Sequence, residues 1–134
     1  MGSEEWLPLV DKDQLLEILS NDVFYRLRGF SLYKEQQFLV SLPVDDTFLQ
    51  DGKGIGAAEE ILFQGAIDLL AVKGDKAFIV DYKYSVKSAE KLREDYRAQL
   101  NLYKLACAKI LSIPLKNIRC TIVNIYRGLE VDMD

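Results

Sequence analysis

Residues 60–84 read EILFQGAIDLLAVKGDKAFIVDYKY, and the fold turns on this stretch. Two β-rich runs, Glu60 to Val72 and Ala77 to Tyr84, flank Lys73-Gly74-Asp75-Lys76, which has the composition of a tight hairpin turn. With Gly74 and Asp75 as the turn residues, Val72 faces Ala77, Leu70 faces Ile79, and Asp68 faces Asp81. Side chains alternate along a strand, so Gln64, Ala66 and Asp68 are expected on one face with Ile79, Asp81 and Lys83. Directly opposed Cβ atoms lie about 4.5–5.5 Å apart, where like charges repel. The apolar neighbours Ile67, Leu69 and Val80 leave that repulsion poorly screened. A bound divalent cation would relieve it. Oxygen-only ligands favour Mg²⁺ or Mn²⁺ over zinc. Lys83, two residues beyond Asp81 on the same face, would stand beside such a cation, orient a water and offset charge on a phosphate. The competing reading places both aspartates at strand ends in solvent, with Lys83 as their salt-bridge partner.

Downstream, Ser88 to Leu111 predicts a helix of about six and a half turns, with Ser88 as its N-cap and Pro114 beyond its end. Leu92, Tyr96, Gln99, Tyr103, Ala106 and Ile110 step by four and three and form one stripe. Gln99 is the amide in that row, and Tyr103 lies one turn further on. A buried glutamine needs partners for its carbonyl and its NH₂. Either water satisfies it at the stripe edge, or Gln99 and Tyr103 point at the acidic pair and position a phosphate or carboxylate. Ile118 to Tyr126 reads as a last strand.

Upstream, Glu35 to Leu42 alternates and stops at Pro43, as a strand would. Asp45 to Ala57, with Asp51-Gly52-Lys53-Gly54 and Gly56, reads as a loop. Asp11 to Leu19 suggests a short helix that Val23 to Leu32 could extend as far as Gly29. The order helix, three strands, long helix, strand describes one mixed α/β domain over residues 11–134. Residues 1–10 are expected to be a linker start, with Met1-Gly2-Ser3 as an expression scar.

Composition narrows the chemistry. A chain of 134 residues that is 49% hydrophobic and 28% charged has room for one core and is not of a disordered type. No apolar run approaches the roughly 18–20 residues of a membrane span, and no signal peptide is evident. There is no histidine, which removes Ser-His-Asp catalysis, Cys-His catalysis and His-ligated zinc. The two cysteines, Cys107 and Cys120, lack a CxxC spacing and fit a reducing cytoplasm. Net charge is −4, yet Lys83 to Arg127 holds ten Lys or Arg against three acids. Such a segment is either a solvated helix face or a surface for a polyanion.

Three motifs then carry a resemblance. Gly65-Ala66-Ile67-Asp68, Asp81-Tyr82-Lys83 and Gln99-Leu100-Asn101-Leu102-Tyr103 resemble the G-x-x-D, D-x-K and Q-x-x-x-Y elements of RecB-family PD-(D/E)XK nucleases, in order and spacing. The resemblance extends over residues 12–127. It implies a restriction-endonuclease-like α/β core, a mixed β-sheet flanked by helices. It also implies that Asp68, Asp81 and the carbonyl of Tyr82 coordinate Mg²⁺ (or Mn²⁺), with Lys83 as the catalytic lysine. Gln99 and Tyr103 would support the site and contact DNA; Arg97, from the basic segment, is expected to meet DNA phosphate. Glu35, in Lys34-Glu35-Gln36-Gln37-Phe38, resembles the acidic residue before the first core strand, as an auxiliary metal residue or a merely solvated glutamate.

The implied activity is exonucleolytic hydrolysis of DNA by a metal-activated water, within a helicase–nuclease of double-strand break repair and recombination. Its partners would be DNA, the helicase region of the same polypeptide and a second helicase–nuclease subunit, in the cytoplasm and away from membranes. Two departures stand out. Such nucleases carry a histidine ligand in an N-terminal G-x-x-x-H motif, and this sequence has none; nor does it contain GxxxxGK[ST]. Two cysteines also cannot build the four-cysteine iron–sulfur staple of some relatives. The expectation is therefore a trimmed nuclease domain, weakly active or inactive in isolation. The alternatives are a catalytically degenerate nuclease-fold module that binds DNA or a partner subunit, and a small stand-alone nuclease acting on RNA or branched DNA.

Overall fold

The computed structural model describes residues 26–43 and 60–133. The helix expected at 11–19, most of its extension from 23, the loop expected at 45–57 and the boundary at residue 11 lie outside the described residues.

The hairpin forms in the expected register. Strand β2 (Ile61–Lys73) pairs antiparallel with β3 (Lys76–Lys83), from Lys73–Lys76 through Val72–Ala77 and Leu70–Ile79 to Leu69–Val80. Gly74, at φ 59, supplies the positive φ that so short a loop demands. Asn117 donates to the carbonyl of Asp75 at 3.1 Å and braces the turn. Strand β1 (Ser31–Leu42) pairs antiparallel along the length of β2, from Ser31–Val72 to Leu42–Ile61. It starts earlier than the alternation from Glu35 suggests, because Gly29, at φ 79, ends a turn and Ser31 and Leu32 already lie in the strand.

Helix α1 (Ala89–Leu111) begins where expected. The Ser88 hydroxyl accepts the Lys91 N–H at 3.2 Å, and Ser112 closes the helix in the left-handed region at φ 55. A 3₁₀ turn at Leu115–Asn117 leads into β4 (Ile118–Asn124), parallel to β3, and α1 is thus the crossover of a β-α-β unit. The last strand is shorter than the expected Ile118–Tyr126. A turn with Gly128 at φ 63 follows, and β5 (Leu129–Asp132), which the sequence reading missed, folds back on β4. The sheet is mixed, in the order β1-β2-β3-β4-β5, with α1 on one face. This is the α/β architecture of a restriction-endonuclease-like fold.

Both faces of the sheet carry a buried apolar cluster. Under α1, Phe38, Val40, Ile67, Leu70, Ile79, Ile118 and Ile122 pack with Leu92, Leu100 and Ala106. On the opposite face Leu27 packs with Leu69, Ala71, Phe78, Val80, Tyr82 and Val123. The helix stripe differs from the expected one: Leu100 and Cys107 are buried, while Ile110 is 52% exposed. A strict four–three stepping drifts by about 20° per heptad on a straight helix, so the buried seam moves round the helix toward its C-terminus.

Alternation on β2 also slips. Leu70 and Val72 face α1, but so do Ile67, Phe63 and Ile61, while Leu69 and Ala71 face the other way. The slip falls at Asp68. On β1 it falls at Glu35, whose backbone has φ 50. Lys34 pairs with Leu69 and Gln36 with Ile67, and the two residues between them, Glu35 and Asp68, do not pair. Because both strands slip together, the register survives on either side. The expectation that Gln64 and Ala66 share the face of Asp81 and Lys83 is therefore incorrect: both are exposed on the opposite surface of the ribbon.

Candidate active site

Pairing between β2 and β3 stops after Leu69–Val80. The next N–H on that edge of β3 belongs to Tyr82, and it donates to Asp68 Oδ2 at 2.9 Å. A carboxylate thus replaces the backbone carbonyl that a continued ladder would have offered. Asp68 and Asp81 are not the closed cross-strand pair that the hairpin register implies. They meet because the strands part and the Asp68 side chain reaches into the gap. Extended backbone in an antiparallel pair directs the N–H and C=O of one residue to the same edge, so the Tyr82 carbonyl faces this gap too.

Asp81 and Lys83 are each 4% exposed, so Asp81 is not a solvated strand end, while Asp68 is half-buried and Lys83 is the salt-bridge partner of Asp81 that the competing reading expected. Lys83 Nζ lies 3.1 Å from Asp81 Oδ2. Burial pushes the Asp81 carboxyl up from 3.8 to about 7; the Lys83 ammonium opposes that rise, and the charge and hydrogen bonding of Asp68 add to it. Asp81 Oδ2 is buried with the Lys83 ammonium as its ion-pair partner and takes no further hydrogen bond. A buried carboxylate, beside a second carboxylate and a backbone carbonyl, is a donor set of hard oxygens that suits a divalent cation. Among the described residues no cluster of three or more His, Cys, Asp or Glu side chains occurs, so two carboxylates make up the acidic part of this set.

The helix completes the site from above. Gln99 Oε1 accepts from Lys83 Nζ at 3.4 Å, and Gln99 Nε2 donates to the Tyr103 hydroxyl at 3.2 Å. Side chains, not only water, satisfy this amide. Tyr103 in turn meets Phe38 edge to face, with ring centroids 5.6 Å apart and planes at 81°. Phe38 packs over Gly65, where an added Cβ would lie 2.8 Å from its Cζ. Gly65 is thus required for space. A chain of contacts runs from Gly65 through Phe38, Tyr103 and Gln99 to Lys83 and Asp81.

All three motifs therefore converge: Asp68, Asp81, Tyr82, Lys83, Gln99 and Tyr103 come together. The sequence model of the PD-(D/E)XK nuclease superfamily matches residues 4–132.

The chain belongs to the PD-(D/E)XK nuclease superfamily.

Its relatives include AddA, the ATP-dependent helicase/nuclease protein of Carboxydothermus hydrogenoformans, 29% identical over 127 residues, which cover 92% of this chain and 11% of that protein. The AddA protein of Syntrophomonas wolfei is 26% identical over 133 residues, 96% of this chain and 10% of that protein. That of Desulforamulus reducens is 34% identical over 93 residues, 68% of this chain and 7% of that protein. The chain spans about a tenth of the length of the first two relatives. PD-(D/E)XK nucleases generally use divalent metals, in keeping with the oxygen donors at Asp68 and Asp81.

The remaining expected residues are placed differently. Glu35 is exposed on β1 at the position that opposes Asp68. Arg97 is exposed on α1, outside the hydrogen-bonded cluster. Tyr96 was not singled out from the sequence, yet Lys83 Nζ sits 4.2 Å from its ring centroid and Lys87 Nζ 5.3 Å. The available signal was its place three residues before Gln99 and seven before Tyr103, on the same helix face.

Proposed function

We propose that this chain is the Mg²⁺-dependent DNA exonuclease domain of an AddA-like helicase–nuclease. The observation that carries the reading is the buried Asp81 carboxylate, set beside a second carboxylate, Asp68, with the Lys83 ammonium 3.1 Å from its Oδ2. Asp68, Asp81 and the Tyr82 carbonyl would hold Mg²⁺ (or Mn²⁺), which when bound supplies Lewis acidity toward water and phosphate. Near such a charge Asp81 stays ionised, because a close cation offsets the penalty of burial. The Lys83 ammonium, enclosed by Asp81, Gln99 and the Tyr96 ring, meets the negative charge that grows on the phosphate oxygens as water attacks phosphorus. Gln99 and Tyr103 hold that ammonium in place and border the strand of DNA. Glu35, opposite Asp68, is an auxiliary carboxylate, and Arg97 contacts phosphate. The names of its relatives support a helicase region in the same polypeptide, and the partner that completes the proposal is a second, AddB-like subunit. The setting is double-strand break repair in the cytoplasm.

The test uses linear single-stranded DNA, millimolar Mg²⁺ and thermal melting in parallel. Asp68→Ala and Asp81→Ala should abolish both hydrolysis and the metal-induced rise in Tm. Lys83→Ala should keep the rise in Tm while kcat falls roughly 10²- to 10³-fold. A Lys83→Ala chain that degrades DNA at near wild-type rate would sink the assignment. The absence of histidine favours a second reading, a degenerate module that binds DNA without cutting it. DNA binding with neither hydrolysis nor a metal-dependent Tm would establish that reading instead.

A further inference from the structure

Two tyrosines beside the candidate site have no part in the carboxylate–lysine cluster. Tyr84 follows Lys83 directly and is 44% exposed, and Tyr126 is 51% exposed. Their rings touch edge to face, with centroids 5.2 Å apart and planes at 77°. Val86, on the same segment, is 64% exposed.

The segments that carry them are fixed to each other. Ile125 N–H donates to the Lys83 carbonyl at 2.8 Å. The buried Asn124 side chain accepts the Ser85 N–H at 3.1 Å and donates to the Ser85 carbonyl at 2.9 Å. Arg127 donates to the carbonyls of Lys87 and Val86. Two half-exposed rings at an angle, on backbone held this firmly, make a standing apolar corner at the C-terminal end of β3, whose last residue, Lys83, directly precedes Tyr84 in the chain. Arg127 adds positive charge, since both of these partners are uncharged carbonyls.

We propose that the Tyr84–Tyr126 corner is a stacking platform for a nucleobase of single-stranded DNA, adjoining the phosphate held at Asp68, Asp81 and Lys83. The proposal rests on the nuclease reading and deepens it, because it names the form of the substrate. A flat base can lie against the face of one ring while its edge meets the other, the geometry that aromatic rings favour among themselves. Stacking tolerates any base, since every base has a π-face, so it adds affinity without reading sequence. A base within a duplex is already stacked on its neighbours. The corner therefore selects unpaired strands, and basic residues of the Lys83–Arg127 segment draw the phosphates to it.

The test is fluorescence anisotropy of the 134-residue chain without divalent metal, so that no strand is cut. The probes are an oligothymidylate, an abasic sugar–phosphate strand of equal length and a duplex. The wild-type chain should bind oligothymidylate about fivefold or more tighter than the abasic strand. Tyr84→Ala and Tyr126→Ala should each reduce that preference, and together erase it, while abasic affinity is kept; Tyr126→Phe should retain it. Retained abasic affinity also shows that the variants are folded. Equal wild-type affinity for the two strands, or a preference that survives the double alanine variant, overturns the platform and leaves the nuclease reading standing. A corner that seats a protein neighbour gives this result as well. Failure to bind any strand overturns both.

Discussion

Between pH 3.8 and about 7 the metal-free fold retains more of the Asp81 proton than the unfolded chain does. Burial raises this carboxyl from 3.8 to about 7, so between those values the native state binds more protons than the unfolded one. The Asp81 contribution to stability therefore falls as pH rises through that window, by at most about 1.4 kcal/mol per pH unit for one proton. Denaturant unfolding of the metal-free chain across this range should show a decline that Asp81→Asn flattens. Identical slopes in the two proteins would show that the Asp81 proton is not linked to folding. The variant alters the level of stability as well, because Lys83 loses its carboxylate, so the slope is the informative quantity. That Asp68, Asp81 and Lys83 come together was legible in the sequence, because it follows from residue type, the hairpin and two-residue spacing. The contact of Tyr96 with Lys83 was not, because a tyrosine in an apolar stripe carries no mark of the ammonium that will lie on its ring.

Among the elements, the β1–β2 ribbon and α1 meet at Gly65. An added Cβ there would lie 2.8 and 2.9 Å from Phe38 ring carbons and 3.6 Å from Tyr103 Cε1. Gly65→Ala should cost about 1–3 kcal/mol of stability through overpacking. It should also lower kcat, since displacement of Tyr103 is passed through Gln99 to Lys83. Metal-induced stabilisation should persist, because neither carboxylate is touched. Restoring space with Phe38→Leu should recover part of both losses; a double variant no better than the single one would show that the collision with Phe38 is not the cause. Element boundaries followed the sequence where a local chemical signal marks them, as at Ser88, Gly74 and Pro114. They departed from it at β5, whose four residues are too few for a pattern and are held as a strand by pairing with β4.

The whole molecule is acidic by composition, with one basic region. If that region tracks a nucleic-acid backbone, affinity for single strands should fall with salt at a log–log slope of about −0.7 per phosphate engaged. Charge reversal at Arg97 or Lys104 should weaken binding nearly equally for all sequences, because phosphate contacts carry no base information. Salt-independent binding, or weakening confined to one sequence, would contradict this. Such a titration reports the summed field, to which no single contact in the structure corresponds.

By itself the sequence determined the hairpin register from Lys73–Lys76 to Leu69–Val80, the span and cap of α1, and the three motifs, because each rests on near neighbours in the chain and on short-range periodicity. Tertiary structure alone decided how those motifs meet. The slip of alternation at Glu35 and Asp68, and the opening of β2 from β3 that lets a carboxylate take the Tyr82 N–H, arise where two strands change phase together. No local pattern announces that event. It depends on Phe38 closing over Gly65 and on α1 lying across the sheet, contacts between residues far apart in sequence whose geometry exists only once the chain has folded.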